Sequence, residues 1–195
     1  MEENIQENFS PQDSLRLIQS MIDKTKANMS ENRFHFLLWG WLAFAAILGQ
    51  YVLKVFYRYE HHYIVWLITF IGVFTSIYYT RKNRRQQYAT TYIGESMKHL
   101  WMGLGISFFI LSFLFFKIGW WNCYPFFILL YGLGTFVSGR ILQFTPLIAG
   151  GIINWILSGI SVFFDFDHQM LFAAAAIFSS YIVPGHLLKT KTTSE

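Results

Sequence analysis

Six histidines, one cysteine and eleven acidic residues are all that this 195-residue chain offers for acid–base, nucleophilic or metal chemistry. Glu60, His61 and His62 form one group, and Asp165, Asp167 and His168 another. Three imidazoles and three carboxylates brought together would suit a zinc ion, or a sensor that charges near the ordinary histidine pKa of ~6.5. Their spacing matches no metal motif, and a hydrated turn is the commoner home for such residues. His61, His62, Asp165, Asp167 and His168 are therefore the metal candidates, and no resident cofactor is expected. No nucleophile signature or nucleotide loop stands out, so an enzyme is not expected. The lone Cys123 excludes an intrachain disulfide and reads as an interfacial packing residue.

Two further groups are polar rather than reactive. Asn154 and Gln50 lie inside long apolar stretches, where an amide either lines a solute path or hydrogen-bonds across a helix interface. Gly105 and Gly151, with Gly103, Gly150 and Gly159, suggest close helix approach in the same regions. His35, His99, Arg140 and His186 fall at the ends of apolar stretches, where they suit contact with lipid phosphate or an anionic ligand. The basic run containing Arg81, Arg84 and Arg85 reads as a topology anchor that also meets anionic headgroups.

The elements that must position these residues are apolar helices. Segments 34–53, 63–80, 100–116, 118–139, 141–164 and 169–188 approach the ~20 residues that a spanning helix needs, and Lys54, about a turn beyond the first, is free to snorkel. With 54% hydrophobic and only 13% charged residues, the chain is expected to be an all-α polytopic bundle of six transmembrane helices. The absence of ionisable groups within the spans lowers the expectation of proton pumping, ion-coupled transport or intramembrane proteolysis.

Charge sets the orientation. Lys54, Arg58 and Lys117 are the basic residues of one set of turns, and the other 12 of the 15 Lys and Arg fall on the opposite side. The positive-inside rule then puts both termini in the cytoplasm. The net charge of +4 is spread over loops rather than gathered on a soluble face, so no nucleic-acid partner is expected. Residues 1–10 are polar and acidic, and the first span is expected to act as its own insertion signal.

Three regions follow: a cytoplasmic segment 1–33, a membrane domain 34–188 and a tail 189–195. Within the first, Ser10 can cap an amphipathic helix with Leu15, Ile18, Ile22, Thr25 and Met29 on one stripe. That 10–29 helix lies on the membrane or its own bundle, or serves as a docking surface for a protein partner or a second copy. Ser30 is expected to cap the first membrane helix.

The membrane domain reads as three tandem hairpins. Residues 105–112 align without gaps on 151–158, and 136–142 on 182–188, both at an offset of 46. Gly40, Ile47 and Leu48 fall on Gly103, Ile110 and Leu111 at an offset of 63, linking the first hairpin to the second. With its glycine-bearing starts of spans one, three and five, this layout resembles the small six-span bacterial membrane proteins of the HdeD type. The resemblance implies a non-enzymatic, multi-pass protein of a bacterial cytoplasmic membrane with a structural, stress-related or regulatory role. The N-terminal segment and the basic 81–98 insert depart from that pattern. A transporter or channel for a small neutral solute, passing Asn154 and the glycines, is the alternative.

Overall fold

The computed structural model describes residues 10–31, 33–82 and 91–188, and among them every regular element is helical. The order is α1 (Pro11–Glu31), α2 (Arg33–Val55), a 3₁₀ turn (His62–Leu67), α3 (Ile68–Lys82), α4 (Tyr92–Ile118), α5 (Cys123–Ile141), α6 (Thr145–Ser161), α7 (Phe166–Ile177), a π-helical turn (Phe178–Ile182) and α8 (Val183–Leu187). Four stretches are long and apolar enough to cross a membrane: Phe36–Val55, Tyr92–Ile118, Cys123–Ile141 and Phe166–Leu187. His62–Tyr78 and Thr145–Ser161 are apolar but shorter. The basic run beyond Lys82, residues 1–9, the tail 189–195 and the His35 side chain lie outside what is described.

The start of α1 follows from its first residues. Ser10 Oγ accepts the Asp13 N–H at 3.2 Å and donates to the Asp13 carboxylate at 2.6 Å, closing the open end of the helix. At the far end α1 runs on to Glu31, so Ser30 is buried within its last turn. Only the second half of the apolar stripe docks on the bundle. Ile22 and Thr25 are buried, Thr25 Oγ1 lies 2.6 Å from Thr91 Oγ1, and Lys26 sits over the Phe144 ring. Leu15 and Ile18, at 67% and 50% exposure, extend past that contact.

Helices pack as antiparallel neighbours, and two of the pairs share one contact set. Trp39 Nε1 on α2 donates to Ser76 Oγ on α3 at 3.2 Å, and Trp101 Nε1 on α4 donates to Ser138 Oγ on α5 at 3.1 Å. A Cβ on Gly72 would strike Leu42 Cδ1 with the Trp39 ring beside it, and one on Gly134 would strike Leu104 Cδ1 with the Trp101 ring beside it. Sixty-two residues separate each member of the first set from its counterpart, one fewer than the glycine alignment of 63. The sequence carries the match openly, as Gly72-Val73-Phe74-Thr75-Ser76 against Gly134-Thr135-Phe136-Val137-Ser138. At the corresponding place in the last pair, a Cβ on Gly150 would meet the Ser180 backbone.

The tightest seam joins α5 to α6. A turn of three residues, with Gln143 at φ 51°, reverses the chain and holds the helices side by side. A Cβ on Gly151 would lie 2.6–2.7 Å from Phe136 backbone and Cβ atoms, and one on Gly139 would meet the Ile148 nitrogen at 2.6 Å. Backbone thus touches backbone, the close packing that small residues permit where lipid supplies no hydrophobic drive. Gly103, Gly105 and Gly159, expected to do the same, face open space. The helices α3 and α4 carry much exposed apolar surface, including Phe70, Phe74, Phe109, Phe113 and Phe116.

In the last segment, Pro184 lacks the N–H that a regular helix needs. The turn before it widens instead, with the Val183 N–H reaching the Phe178 carbonyl five residues back. Ser180, inside that widened turn, faces α6.

Candidate functional site

Gln50 is the centre of the half of the bundle that holds the C-terminal end of α2 and the N-terminal end of α5. Trp66 Nε1 donates to its Oε1 at 2.6 Å, and the Tyr124 hydroxyl donates to the same oxygen at 3.2 Å. An indole N–H only donates, so the accepting atom must be the amide oxygen. The amide nitrogen then faces His62 Nδ1 at 3.2 Å, which makes Nδ1 the acceptor and puts the proton of the neutral ring on Nε2. One buried amide therefore links α2, the 3₁₀ turn and α5. Gln50 also lines a cavity.

That cavity has a volume of about 890 Å³, within the ~300–1,000 Å³ range of small-molecule sites. Its wall comes from Ile47, Phe108, Trp120, Trp121, Phe127 and Ile128 among others, with Lys54, His62 and Tyr63 at one end and Tyr131, Ala176 and Ile177 at the other. Cys123 belongs to this wall and is buried. From Cys123 to Tyr131 along α5 the cavity is about 12 Å deep, at 1.5 Å per residue. A second space of about 260 Å³ lies nearer α1, lined by Met29, Phe36, Met97, Trp101 and Tyr181 among others. The Tyr131 and Tyr181 rings, 6.1 Å apart, stand between the two.

The histidines and carboxylates of the 60–62 and 165–168 turns take separate partners. Lys54 Nζ pairs with the Asp167 carboxylate and lies 4.3 Å from the Phe166 ring centroid, so this lysine is anchored rather than free to snorkel. His168 Nδ1 pairs with Asp165, and that hydrogen bond holds the Asp165 carboxyl below its ordinary pKa. The Tyr63 hydroxyl meets His61 Nδ1 at 2.9 Å. No three His, Cys, Asp or Glu side chains form a metal-holding group among the described residues. The zinc constellation of His61, His62, Asp165, Asp167 and His168 is thus not assembled, because Asp165 and His168 pair with each other, Asp167 with Lys54, His61 with Tyr63 and His62 with Gln50.

Asn154 sits in a helix interface. It is fully buried, its amide donates to Ser180 Oγ at 3.0 Å, and its Cβ lies against Gly132. Its Oδ1 meets no partner among the described residues, and the same holds for Gln169 Oε1. Gly151 joins this interface, whereas Gly105 faces outward. On the opposite side, Arg33 donates to the His186 carbonyl at 3.1 Å, and the Trp41 ring stands edge-on to the same imidazole. His99 and Arg140 are exposed, and neither joins this group.

Sequence reasoning missed Trp66, Tyr124 and Gln169. Each looks like an ordinary apolar-span residue until its partner is known. Gln169 donates to Asn122 Oδ1 and the Phe164 carbonyl, both at 2.9 Å. The available signal was that a buried amide must be satisfied, and aromatic N–H and O–H donors were the obvious partners.

Comparison with protein-family models, curated proteins and solved structures finds no match to this chain.

Proposed function

We propose that this chain is a non-enzymatic protein of a bacterial cytoplasmic membrane, a bundle of three tandem hairpins with a structural, stress-related or regulatory role. One observation carries it: the amides and several serines buried among the described residues spend hydrogen bonds on neighbouring segments of the chain, and from α2 onward the described Asp, Glu, Lys, Arg and His side chains lie toward the ends of the helices and in the turns. Gln50, Asn154, Ser138, Ser158 and Gln169 all donate to or accept from another segment of the chain. An enzyme or coupled transporter needs such groups turned toward a substrate.

Six crossings are supported by the company the two shorter helices keep. The 3₁₀ turn and α3 track α2 antiparallel from the Gln50–Trp66 bond to the Trp39–Ser76 bond. Likewise α6 tracks α5 from the Gly139–Ile148 contact to the bond between Ser158 Oγ and the Pro125 carbonyl. Each lies along a helix long enough to span, and the 17 residues of α6 reach the lower limit of ~17 for crossing. The Trp, Leu, Gly and Ser contacts at an offset of 62 support duplication of the hairpin, and the resulting layout resembles that of HdeD-type proteins. The distribution of Lys and Arg supports cytoplasmic termini. Anionic lipid at the basic 81–85 run, and a partner or second copy on the exposed Leu15–Ile18 part of α1, belong to the same proposal.

A second reading, passage of a small neutral solute, draws on the two cavities separated by Tyr131 and Tyr181. Proteoliposomes shrunk osmotically against glycerol and urea separate the two. The leading reading expects wild-type vesicles to re-swell at the rate of protein-free ones, and Tyr131→Ala to change nothing. Faster re-swelling, enhanced further by Tyr131→Ala, would overturn it in favour of transport.

A further inference from the structure

We propose that the outer cavity binds a single-chain amphiphile with an anionic, hydrogen-bond-accepting head, held at Lys54 and His62 with its tail running toward Tyr131. This goes beyond the structural role above and rests on it only for the side of the membrane the cavity faces.

Shape comes first. The wall is aromatic and aliphatic over nearly its whole depth, and that depth of about 12 Å approaches one leaflet's share of a ~30 Å hydrocarbon core. A long apolar body fits such a wall, whereas a compact polar solute would forfeit its hydration there.

The polar end chooses the head. Lys54 is the only charged side chain in the lining, and its partner Asp167 stands outside the lining. The ammonium has three donors, of which Asp167 takes one. His62 adds a second donor, because its Nδ1 is committed to Gln50 and its proton sits on Nε2. The acceptor lone pairs of Gln50 Oε1 are taken by Trp66 and Tyr124. With the Gln50 oxygen used, the groups left on offer in the lining are donors, so the complementary head is a strong acceptor that can share Lys54 with Asp167, a carboxylate or phosphate. Position agrees, since Lys54 closes α2 and His62 opens the 3₁₀ turn, while Trp120 and Trp121 flank the same rim as interfacial tryptophans do. An amphiphile entering from that interface arrives already oriented.

The test uses full-length protein in phosphatidylcholine vesicles and 9,10-dibromostearate as probe, because bromine quenches nearby indoles and Trp66, Trp120 and Trp121 line the cavity. The expected result is saturable quenching that weakens at least tenfold in Lys54→Met and equally for the dibromostearate methyl ester. A dibrominated lysophosphatidate distinguishes the sources: tighter binding than the free acid names a phosphate lipid, and weaker binding names a fatty acid. Ala173→Trp fills the cavity without touching the charge and should abolish saturation while the protein keeps its gel-filtration profile. Non-saturable quenching, identical in wild type, Lys54→Met and Ala173→Trp, would mean annular contact only and would overturn the proposal.

Discussion

Two seams of α5 behave oppositely. Toward α6 it presents Gly132 and Gly139 and is met by Gly151, so that backbones touch and no space remains. Toward α2 it presents Tyr124, Phe127, Ile128 and Tyr131, and the helices are held apart around about 890 Å³. Side-chain size at a handful of positions decides which seam is structural and which can receive a molecule. Both seams carry polar bonds, yet with different results. Asn154–Ser180 lies among close-packed helices and stays enclosed, whereas the Gln50 bonds tie the rim of an open space without closing it.

The contrast breaks most readily at its tight end. Gly151→Leu must push Phe136 and its backbone away, and should cost about 3 kcal/mol or more, or prevent folding. Gly105→Leu, at a position facing open space, should stay within about 0.5 kcal/mol. Thermal unfolding in one detergent measures both, and equal effects would erase the distinction between the seams.

A middle-sized effect is expected at the open end. Gln50→Leu leaves the Trp66 and Tyr124 donors without their acceptor and should cost about 2 kcal/mol. Because it also frees His62, ligand-independent labelling of the cavity rim should rise, which sharpens the claim that Gln50 frames the cavity rather than fills it. A stabilised Gln50→Leu protein would show that the amide was a liability rather than a tie.

The smallest effects concern bonds within the first two helix pairs. Ser76→Ala and Ser138→Ala each remove one acceptor from a tryptophan at equivalent places, and each should cost about 0.6 kcal/mol, as membrane hydrogen bonds commonly do. Near-equal losses would support equivalence of the pairs; a large loss at Ser138 alone would tie that bond to the α5–α6 seam instead.

Helix type and membrane character were legible in the sequence, because apolar runs of this length have few other fates. The Ser10 cap was legible too. Partner choice was not. Gly105 and Gly151 align with each other, yet only one meets a neighbouring backbone, since a glycine's contact depends on which helix lies opposite. The outer carboxylates looked like a cluster because sequence shows charge but not geometry. Asp165 turned to His168 in its own turn and Asp167 to Lys54 on α2, a contact spanning 113 residues. The Gln50 hub was visible only as an amide in an apolar run, with its donors 16 and 74 residues away.

The central claim is three hairpins that each cross and return, with the Gln50 cavity on the outer side. Single cysteines at Ser14, Glu60, Arg81, Trp121, Gln143 and Phe163, in a Cys123→Ser background, test it in intact cells with a membrane-impermeant thiol reagent. The account predicts labelling at positions 60, 121 and 163, and protection at 14, 81 and 143 until the membrane is permeabilised. Labelling of position 81 together with 60, or matching behaviour of 143 and 163, would show that a shorter helix does not cross and would contradict the account.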